Sequence, residues 1–216
     1  MATMIKNESF QKHAMEYEEW YDKNPTVFES ELTAIRRMLS NSPSKGLEVG
    51  LGSNKFSKAL GIKDGIDPLF AKRSNENNNG LHEKNGSEEK IPFEDFYFDF
   101  VLMATCISYF YDLKKAFTEA NRVLKSDGAL IIGFIEKESI VGNFHKENRN
   151  KNSFYKFAAF YKTSEIIAQI KEAGFHDFDF FQTFFNGLDE NNEKEQTKKY
   201  SCYGSCVVIK AKKVSF

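Results

Sequence analysis

The sequence predicts a single α/β domain with a doubly wound, seven-stranded and mostly parallel sheet, helices on both faces and a C-terminal antiparallel hairpin strand. Three observations support this prediction. Predicted strands alternate with helices through the middle of the chain, which favours a parallel sheet. Residues 98–104 form a nearly continuous apolar run, as expected for a strand covered on both faces. The last two predicted strands have no helix between them, so they form a hairpin.

Two helices are predicted before the sheet begins. Residues 9–22 carry apolar and aromatic side chains at helical spacing, and Asn24-Pro25 ends that helix. A second helix runs from Thr26, the predicted N-cap, to Leu39.

The remaining elements follow in an alternating order. Strands are predicted around residues 46–49, 65–67, 81–85, 98–104, 129–135, 175–185 and 206–211. Asp112 is the predicted N-cap of a helix that ends at Leu124, and Asp127-Gly128 is a predicted turn. A further helix is predicted over residues 164–173, and residues 186–200 are predicted to be a polar loop.

Residues 46–52, with the sequence GLEVGLG, join a short apolar strand to an amphipathic segment that ends at Leu60. Gly50 and Gly52 have no Cβ atom, so the backbone can turn tightly there and a ligand can approach closely. A loop that enters a helix also points free N–H groups at its surroundings. This loop therefore predicts a ligand-binding cradle.

Three further features converge on the carboxyl ends of the predicted strands, where open α/β sheets bind ligands. Asp67 ends the second strand, and its carboxylate can accept hydrogen bonds from a ribose diol. Residues 86–89, GSEE, follow the third strand, and Thr105-Cys106 follow the fourth. Each feature alone is equally consistent with a tight turn, a helix cap or a solvated acid. Their order along the chain favours a ligand-binding site.

These stretches resemble the class I S-adenosylmethionine-dependent methyltransferases, in particular the small-molecule, ubiquinone/menaquinone-biosynthesis-like branch and a compact bacterial subgroup of it. The resemblance covers roughly residues 10–211. Residues 48–52, EVGLG, are similar to the first motif of the family, and residues 65–68, GIDP, to its acidic second motif. Residues 86–93, GSEEKIPF, and 122–130, RVLKSDGAL, resemble two later motifs.

The resemblance implies a Rossmann-like fold and S-adenosyl-L-methionine as cofactor, with S-adenosyl-L-homocysteine as product. Asp67 would hold the ribose hydroxyls, while Ser87 and Glu88 would border the adenine. Ala104 and Thr105 would lie below the sulfonium. The implied cofactor-binding residues are Tyr17, Tyr21, Glu48, Gly50, Leu51, Gly52, Asn54, Asp67, Pro68, Ser87, Glu88, Ala104 and Thr105.

Some of these implied roles have an alternative. Tyr17 or Tyr21 could close over the cofactor, as an aromatic residue of the first helix often does in relatives, but packing of that helix on the core explains Tyr17 equally well. Asn54 stands where the family has a third glycine, and Asn tolerates the left-handed conformation better than other non-glycine residues. Ser87 stands where the family has an adenine-contacting Asp, which removes a charge and keeps an acceptor.

Methyl transfer from a sulfonium is an in-line displacement, in which the protein mainly orients the reactants and excludes water. A general base is needed only if the acceptor must lose a proton. No residue of the sequence stands out as that base, so the catalytic residues are unknown. His13 and His145 are the candidates, and the polar neighbours of His145 favour a solvated surface side chain.

The chain is divided into four parts on this basis. They are an N-terminal helical cap (residues 1–42), a cofactor-binding core (43–135), a substrate-lid insertion (136–162) and a C-terminal helix with a β-hairpin (163–216). The insertion carries the aromatic residues Phe144, Phe154, Tyr155, Phe157, Phe160 and Tyr161. These side chains either wall a pocket for a small, partly apolar acceptor or simply roof the sheet.

Composition limits the partners. With 30 Lys+Arg against 31 Asp+Glu and a net charge of −1, the chain has no basic excess for nucleic acid or for a membrane surface. The N-terminus has no secretory signal, and the 3 Cys residues form neither a disulfide framework nor a metal site. We expect a cytoplasmic protein without a metal, a monomer or weak homodimer, whose partner is a small-molecule methyl acceptor.

Two other functions stay open. A dinucleotide-dependent oxidoreductase would carry a third glycine in its G-x-G-x-x-G fingerprint, and Lys55 at that position argues against it. A domain that binds S-adenosylmethionine or S-adenosylhomocysteine without turnover is compatible with the altered residues Asn54 and Ser87.

Overall fold

The computed structural model describes residues 19–39, 44–68, 80–149, 155–183 and 204–214, together with the backbone of residues 198–199. The strands are β1 Gly46–Val49, β2 Asp64–Asp67, β3 His82–Asn85, β4 Phe98–Ala104, β5 Leu124–Ile135, β6 Phe175–Thr183, β7 Lys198–Lys199 and β8 Cys206–Lys213. They form one sheet with the order β3-β2-β1-β4-β5-β8-β6-β7.

The direction of the strands confirms the predicted fold class. Strands β1 to β5 run parallel, whereas β8 lies antiparallel between β5 and β6. Without β7, the sheet has the seven predicted strands and the predicted antiparallel hairpin strand. Strand β7 adds a two-residue edge strand at residues 198–199, within a stretch that was predicted to be a polar loop.

The helices described from end to end are α1 Pro25–Met38, α2 Lys55–Leu60, α3 Leu113–Val123, α4 Ile140–Glu147 and α5 Thr163–Glu172. Residues 19–23 are also helical, and Ile107–Tyr109 form a short 3₁₀ helix. Within the described ranges, no helix has the length and apolar character needed to cross a bilayer.

One predicted helix cap is confirmed and another is wrong. Asp112 caps α3 as predicted, because its side chain accepts a hydrogen bond of 3.1 Å from the Lys115 N–H. Helix α1, in contrast, begins at Pro25 and not after a Thr26 cap. Proline is favoured at the first helical position because the N–H group that it lacks would have no helical partner there.

Strand β5 begins at Leu124, well before its predicted start at Ala129. The Asp127-Gly128 pair, predicted to be a turn, lies inside this strand, with Asp127 at a φ of 61°. Phe98 pairs with Leu124 and Phe100 with Ala129, so the residues between Leu124 and Ala129 interrupt the register of the β4–β5 pair. The predicted turn between two elements is therefore an irregularity within one strand.

Strand β4 lies in the middle of the sheet and is buried along most of its length, as predicted. Val101 and Met103 belong to a core layer with α3 and α5, whereas Leu102 and Ala104 belong to a layer with α1 and α2. Helices thus cover both faces of the sheet. The strand order reverses between β1 and β4, and this switch point is where open α/β sheets bind ligands.

A cluster around Arg122 fixes the loop that follows β3. The guanidinium donates to the carbonyl oxygens of Ile91 and Phe93, at 2.8 and 2.9 Å. It also pairs with Glu119 and Asp95, each at 2.7 Å. Glu119 in turn accepts a hydrogen bond of 2.9 Å from the Ile91 N–H. The motif around Arg122 therefore has a structural role, since it anchors the loop that leads from β3 to β4.

Candidate functional site

The loop after β1 turns tightly, as predicted. Gly50 and Gly52 adopt φ values of 76° and 49°, in the left-handed region that favours glycine. A Cβ atom at Gly50 would lie 2.8 Å from the Cβ atom of Cys106, so a larger residue would collide there. A Cβ atom at Gly52 would meet no atom of the described residues within 4 Å. At Gly52, therefore, the backbone conformation alone favours glycine.

Asn54 stands where the family has a third glycine, and it adopts a backbone conformation that glycine favours. Its φ of 53° is left-handed, a conformation that Asn tolerates better than most residues, and helix α2 begins directly after it. The Asn54 Oδ1 atom is buried, and it has no hydrogen-bond partner among the described residues. The loop thus keeps its shape and leaves a polar atom that a ligand or a water molecule could satisfy.

Three carboxylates surround this loop. Glu48 is buried in β1 and accepts a hydrogen bond from the Ser57 hydroxyl. Asp67 ends β2, and its Oδ2 atom accepts a hydrogen bond of 3.1 Å from the Gly52 N–H. Glu88 follows β3, and burial raises the pKa of its carboxyl above the usual value. Acceptor groups of this kind suit ribose hydroxyls and a cationic ligand.

The loop and the three carboxylates line a cleft at the carboxyl ends of β1, β2 and β4, which we call the Gly50 cleft. Its lining comprises Tyr21, Glu48, Gly50, Leu51, Gly52, Ser53, Phe56, Asp67, Pro68, Glu88, Ala104, Thr105, Cys106, Tyr109 and Phe110. No Lys or Arg occurs among these described lining residues. The charged groups of the lining are therefore carboxyl groups.

The structure brings together most of the residues that the sequence assigned to a cofactor site: Tyr21, Glu48, Gly50, Leu51, Gly52, Asp67, Pro68, Glu88, Ala104 and Thr105. Asn54 and Ser87 are not part of this lining, and Ser87 instead pairs with Lys90 in an isolated bridge. Tyr17 and His13 lie outside the described residues.

The sequence analysis named Cys106 among the strand-end features and missed four other lining residues: Ser53, Phe56, Tyr109 and Phe110. A usable signal existed for the last two, because they closely follow the predicted strand end at Thr105. Cys106 donates from Sγ to the Val49 carbonyl oxygen at 3.2 Å, and burial raises the pKa of its thiol. A thiol held in the protonated form is a poor nucleophile, so the surroundings of Cys106 do not favour a nucleophilic role.

A second cavity lies next to the Gly50 cleft, and Tyr21, Thr105 and Tyr109 line both. We call it the Glu31 cavity. Its other lining residues are Trp20, Val27, Glu31, Ser108, Ile135, His145, Tyr155 and Phe160. They come from the helical residues 19–23, from α1, from the segment after β4, from the end of β5 and from the insertion. Tertiary packing, and not a sequence motif, therefore builds this cavity.

Glu31 is a carboxylate on the apolar face of α1, where it is only 4% exposed. The Tyr21 hydroxyl donates to its Oε2 atom at 2.6 Å. Burial raises the pKa of Glu31 to about 7, although the Tyr21 hydrogen bond lowers it. A carboxyl group with such a pKa can exchange a proton near neutral pH, as a general base does. The sequence signal that was missed is the place of Glu31 between Val27 and Ile35 at helical spacing.

His145 is not the solvated side chain that the sequence favoured. It is 6% exposed, and its ring packs at a tilt of 32° on Tyr155, with 3.7 Å between the ring centroids. The Phe160 ring lies nearly parallel to the imidazole, with 6.1 Å between the centroids. Burial lowers the pKa of His145 to about 4, so the imidazole is neutral at pH 7. Its Nε2 atom is buried without a hydrogen-bond partner among the described residues.

Thr105 separates the two cavities in a backbone conformation that is rare for its type. Its φ is 55°, an outlier for a β-branched residue. Two contacts hold it there: the Thr105 N–H donates to the Gly133 carbonyl oxygen, and the hydroxyl donates to the Ala104 carbonyl oxygen, each at 2.8 Å. Strained residues of this kind cluster at ligand sites.

The aromatic residues of the insertion divide between their two predicted roles. Tyr155 and Phe160 line the Glu31 cavity, whereas Tyr161 packs against the core beneath. Phe144 does neither and is 59% exposed. Phe154 lies outside the described residues.

The position of antiparallel β8 between β5 and β6, together with the cleft at the ends of β1, β2 and β4, defines a Rossmann-like domain of the methyltransferase type. A family model described as "methyltransferase domain" matches residues 47–132. A crystal structure from Thermotoga maritima, described as an S-adenosylmethionine-dependent methyltransferase and possible histamine N-methyltransferase, is 34% identical, with a TM-score of 0.90. That match covers 95% of this chain and 99% of the Thermotoga chain. The protein therefore belongs to the class I S-adenosylmethionine-dependent methyltransferases.

Two sequence relatives extend this comparison. An uncharacterized protein of Methanocaldococcus jannaschii is 35% identical over 205 residues, which cover 95% of this chain and 98% of the relative. The ubiquinone/menaquinone biosynthesis C-methyltransferase of Rickettsia bellii is 39% identical over 89 residues, which cover 40% of this chain and 33% of the relative. The resemblance stated from the sequence motifs is confirmed.

Proposed function

We propose that the protein binds S-adenosylmethionine in the Gly50 cleft and transfers its methyl group to a small molecule held in the Glu31 cavity. The observation that supports this most directly is the shared wall: Tyr21, Thr105 and Tyr109 line both spaces. Two reactants bound there would be neighbours. Proximity of this kind is the main contribution that a protein makes to a displacement reaction.

The residues of the Gly50 cleft fit this cofactor. Asp67 would accept hydrogen bonds from the ribose hydroxyls, and Pro68 and Glu88 would border the adenine. Gly50 and Gly52 would line the methionine portion, since their conformations leave the backbone accessible. The carboxylates match a ligand that carries a sulfonium and an ammonium group, and no described Lys or Arg of the lining opposes it.

When bound, S-adenosylmethionine supplies a methyl group on a sulfonium, which a nucleophile displaces in line. The protein's residues orient and enclose the reactants. Tyr21 and Phe56 are buried and pack edge to face at 6.2 Å, so they would exclude water from one side of the cleft. Thr105 would lie between the acceptor in the Glu31 cavity and the cofactor in the Gly50 cleft.

The descriptions of the relatives suggest two kinds of acceptor. The Thermotoga relative is described as a possible histamine N-methyltransferase, and the Rickettsia relative as a ubiquinone/menaquinone biosynthesis C-methyltransferase. Both kinds of acceptor are small molecules. Aromatic side chains line the Glu31 cavity and would contact a small, partly apolar acceptor, and this supports the small-molecule part of the proposal.

The alternatives from the sequence have less support. A dinucleotide enzyme would place a third glycine at Lys55, whose ammonium instead pairs with Asp22. A domain that only binds the cofactor would have no use for a buried cavity beside the cleft. The Glu31 cavity therefore favours turnover over binding alone.

Calorimetry tests the proposal. Titration with S-adenosylmethionine and with S-adenosylhomocysteine should each give saturable binding, and NAD should give none. Binding of NAD without binding of either adenosyl compound would overturn it. Incubation with methyl-labelled S-adenosylmethionine and a library of small amines, phenols and quinols should then transfer label. The binding-only domain would be favoured if the cofactor binds tightly but no label is transferred, either to a compound of the library or to a ligand that co-purifies with the protein.

A further inference from the structure

Resting on the proposed function, we infer that the acceptor is a small amine that enters the Glu31 cavity as an ammonium ion, and that Glu31 binds it and removes its proton. The cavity would thus provide both the counter-charge and the base. Neither role follows from the methyltransferase family, in which acceptors and bases differ from one protein to the next.

The charges of the cavity support a cation. Glu31 is the one acidic or basic side chain, apart from the neutral His145, among the described residues that line it. A buried carboxylate needs a cation or several hydrogen-bond donors to offset the loss of water. Among the described lining residues, the Tyr21 hydroxyl donates a hydrogen bond to Glu31. An ammonium group would complete the pair, whereas an anionic acceptor would be repelled.

The lining of the cavity supports a short apolar body attached to that ammonium. Trp20, Tyr109, Tyr155 and Phe160 contribute aromatic surface. Rings of this kind attract cations through their faces and bury apolar groups at their edges. The cavity volume of about 30 Å³ limits the body to a few atoms, so an amine with a short aliphatic body satisfies both the lining and the volume.

His145 provides a second polar contact. Its Nε2 atom is buried, and it lacks a hydrogen-bond partner among the described residues. A buried polar atom of this kind costs free energy until it is paired. A bound acceptor with an N–H group beside its apolar body would supply the partner. The ring of Tyr155, packed on the imidazole, holds it in place for this contact.

The proton transfer balances as follows. An ammonium nitrogen has no lone pair and cannot act as a nucleophile. One N–H bond breaks, its electron pair stays on nitrogen as the lone pair, and the proton moves to a carboxylate oxygen of Glu31. Because Tyr21 donates to Oε2, the oxygen that takes the proton is Oε1. The carboxylic acid returns the proton to water after the product leaves.

The test compares ligands that share one body. With saturating S-adenosylhomocysteine at pH 8, calorimetry measures the affinity for propylamine, 1-propanol and butanoate, and for the smaller methylamine. At least one amine should bind tenfold or more tightly than the alcohol, and the carboxylate should not bind. Glu31→Gln should reduce amine affinity at least tenfold and leave the affinity for the alcohol unchanged.

Glu29→Gln is the matched control, since Glu29 lies on the same helix and is not part of the cavity lining. It should leave the affinity for every ligand unchanged. The inference is overturned if the alcohol or the carboxylate binds as well as the amines, if no probe binds, or if Glu31→Gln has no effect on amine affinity. The affinity for S-adenosylhomocysteine is measured first in each variant. Retained affinity shows that the variant is folded and that the cofactor part of the proposed function holds, so a negative result with the amines then counts against the role of Glu31 alone.

Discussion

The two cavities of this protein lie side by side, and the chain builds them in opposite ways. The Gly50 cleft is made largely of consecutive residues at strand ends, and its shape depends on backbone conformations such as the left-handed turns at Gly50 and Gly52. The Glu31 cavity is made of side chains from five segments of the chain, held together by packing. Under the proposed function, the cleft would bind its ligand through fixed backbone and carboxylate positions, and the cavity would bind its ligand through buried side chains.

Because of this difference, the two cavities should tolerate different substitutions. A cleft built from backbone is sensitive to an added Cβ atom or a change of φ, but nearby side chains can vary. A cavity built from buried side chains depends on their charge and protonation state. The predictions below disturb one cavity at a time, and they are given in order of decreasing expected effect.

The largest effect concerns the charge of Glu31. The pKa of Glu31 is about 7 in the folded protein, against an ordinary value of 4.5 for a glutamate carboxyl. Between these two pH values the folded state therefore keeps a proton that the unfolded state releases. Stability is therefore lost as the pH rises from 4.5 to 7, by about 3 kcal/mol for a shift of this size. In chemical unfolding at a series of pH values, Glu31→Gln should gain about this much relative to the wild type as the pH rises.

His145 changes stability with pH in the opposite direction to Glu31. The stability of the wild type must therefore be compared with that of Glu31→Gln at each pH. Its pKa falls from 6.5 to about 4 on folding, so its contribution to stability is full above pH 6.5 and is lost as the pH falls toward 4. The wild-type profile therefore mixes two opposing trends. A wild-type minus Glu31→Gln difference that does not change with pH would contradict the buried, proton-holding carboxyl, and Glu29→Gln should show no such change.

The next effect concerns the backbone of the Gly50 cleft. Gly50→Ala would bring a Cβ atom to 2.8 Å from that of Cys106, at a φ of 76°. Overpacking and left-handed strain together should reduce the free energy of unfolding by about 2–3 kcal/mol. Gly52→Ala, which meets open space, should cost only about 1 kcal/mol. Urea unfolding of both variants checks this, and equal losses would show that the contact with Cys106 has no role.

The third effect tests the ligand contact of Asp67. Asp67→Ala should weaken the binding of S-adenosylhomocysteine by about 1–3 kcal/mol, the scale for loss of hydrogen bonds to a charged group. Asp64→Ala is the control, because Asp64 lies on the same strand and outside the cleft lining. Calorimetry on both folded variants decides the matter. Equal affinity in Asp67→Ala and the wild type would remove Asp67 from the site.

The smallest effect concerns the link between the cavities. Tyr21→Phe removes the hydroxyl that donates to Glu31 and keeps the ring that packs edge to face on Phe28 and Phe56. The lost hydrogen bond stabilised the carboxylate, so the pKa of Glu31 should rise, by an amount equivalent to about 1 kcal/mol. Carbon-13 NMR of labelled glutamate carboxyls follows this titration. A pKa that stays unchanged would show that the hydroxyl does not control the charge of Glu31.

The sequence predicted the Gly50 cleft well and the Glu31 cavity poorly, for one physical reason. Strand ends and glycine turns are local, so Gly50, Asp67 and Thr105 could be assigned from their neighbours in the chain. The surroundings of Glu31 and His145 are set by residues far away in sequence. Polar neighbours of His145 suggested a surface position, but Tyr155 and Phe160 pack on its ring and bury it.

Local patterns also misled where two structures share residue types. The Asp127-Gly128 pair suits a turn, and only the pairing of its neighbours Leu124 and Ala129 with β4 shows that it lies within β5. The predicted break at Asn24-Pro25 is present, but the second helix begins at Pro25 and not after Thr26. In the first case the missing information was the tertiary context.

Thr105 sets stability and function against each other. A β-branched residue at a φ of 55° costs about 1–3 kcal/mol. A glycine at this position would relieve the backbone and also remove the side chain that stands between the two cavities. Selection for heat resistance alone would favour that glycine, whereas selection for turnover would retain the threonine. A library of variants at this one codon, screened separately for each trait, would rank the same residues in opposite orders.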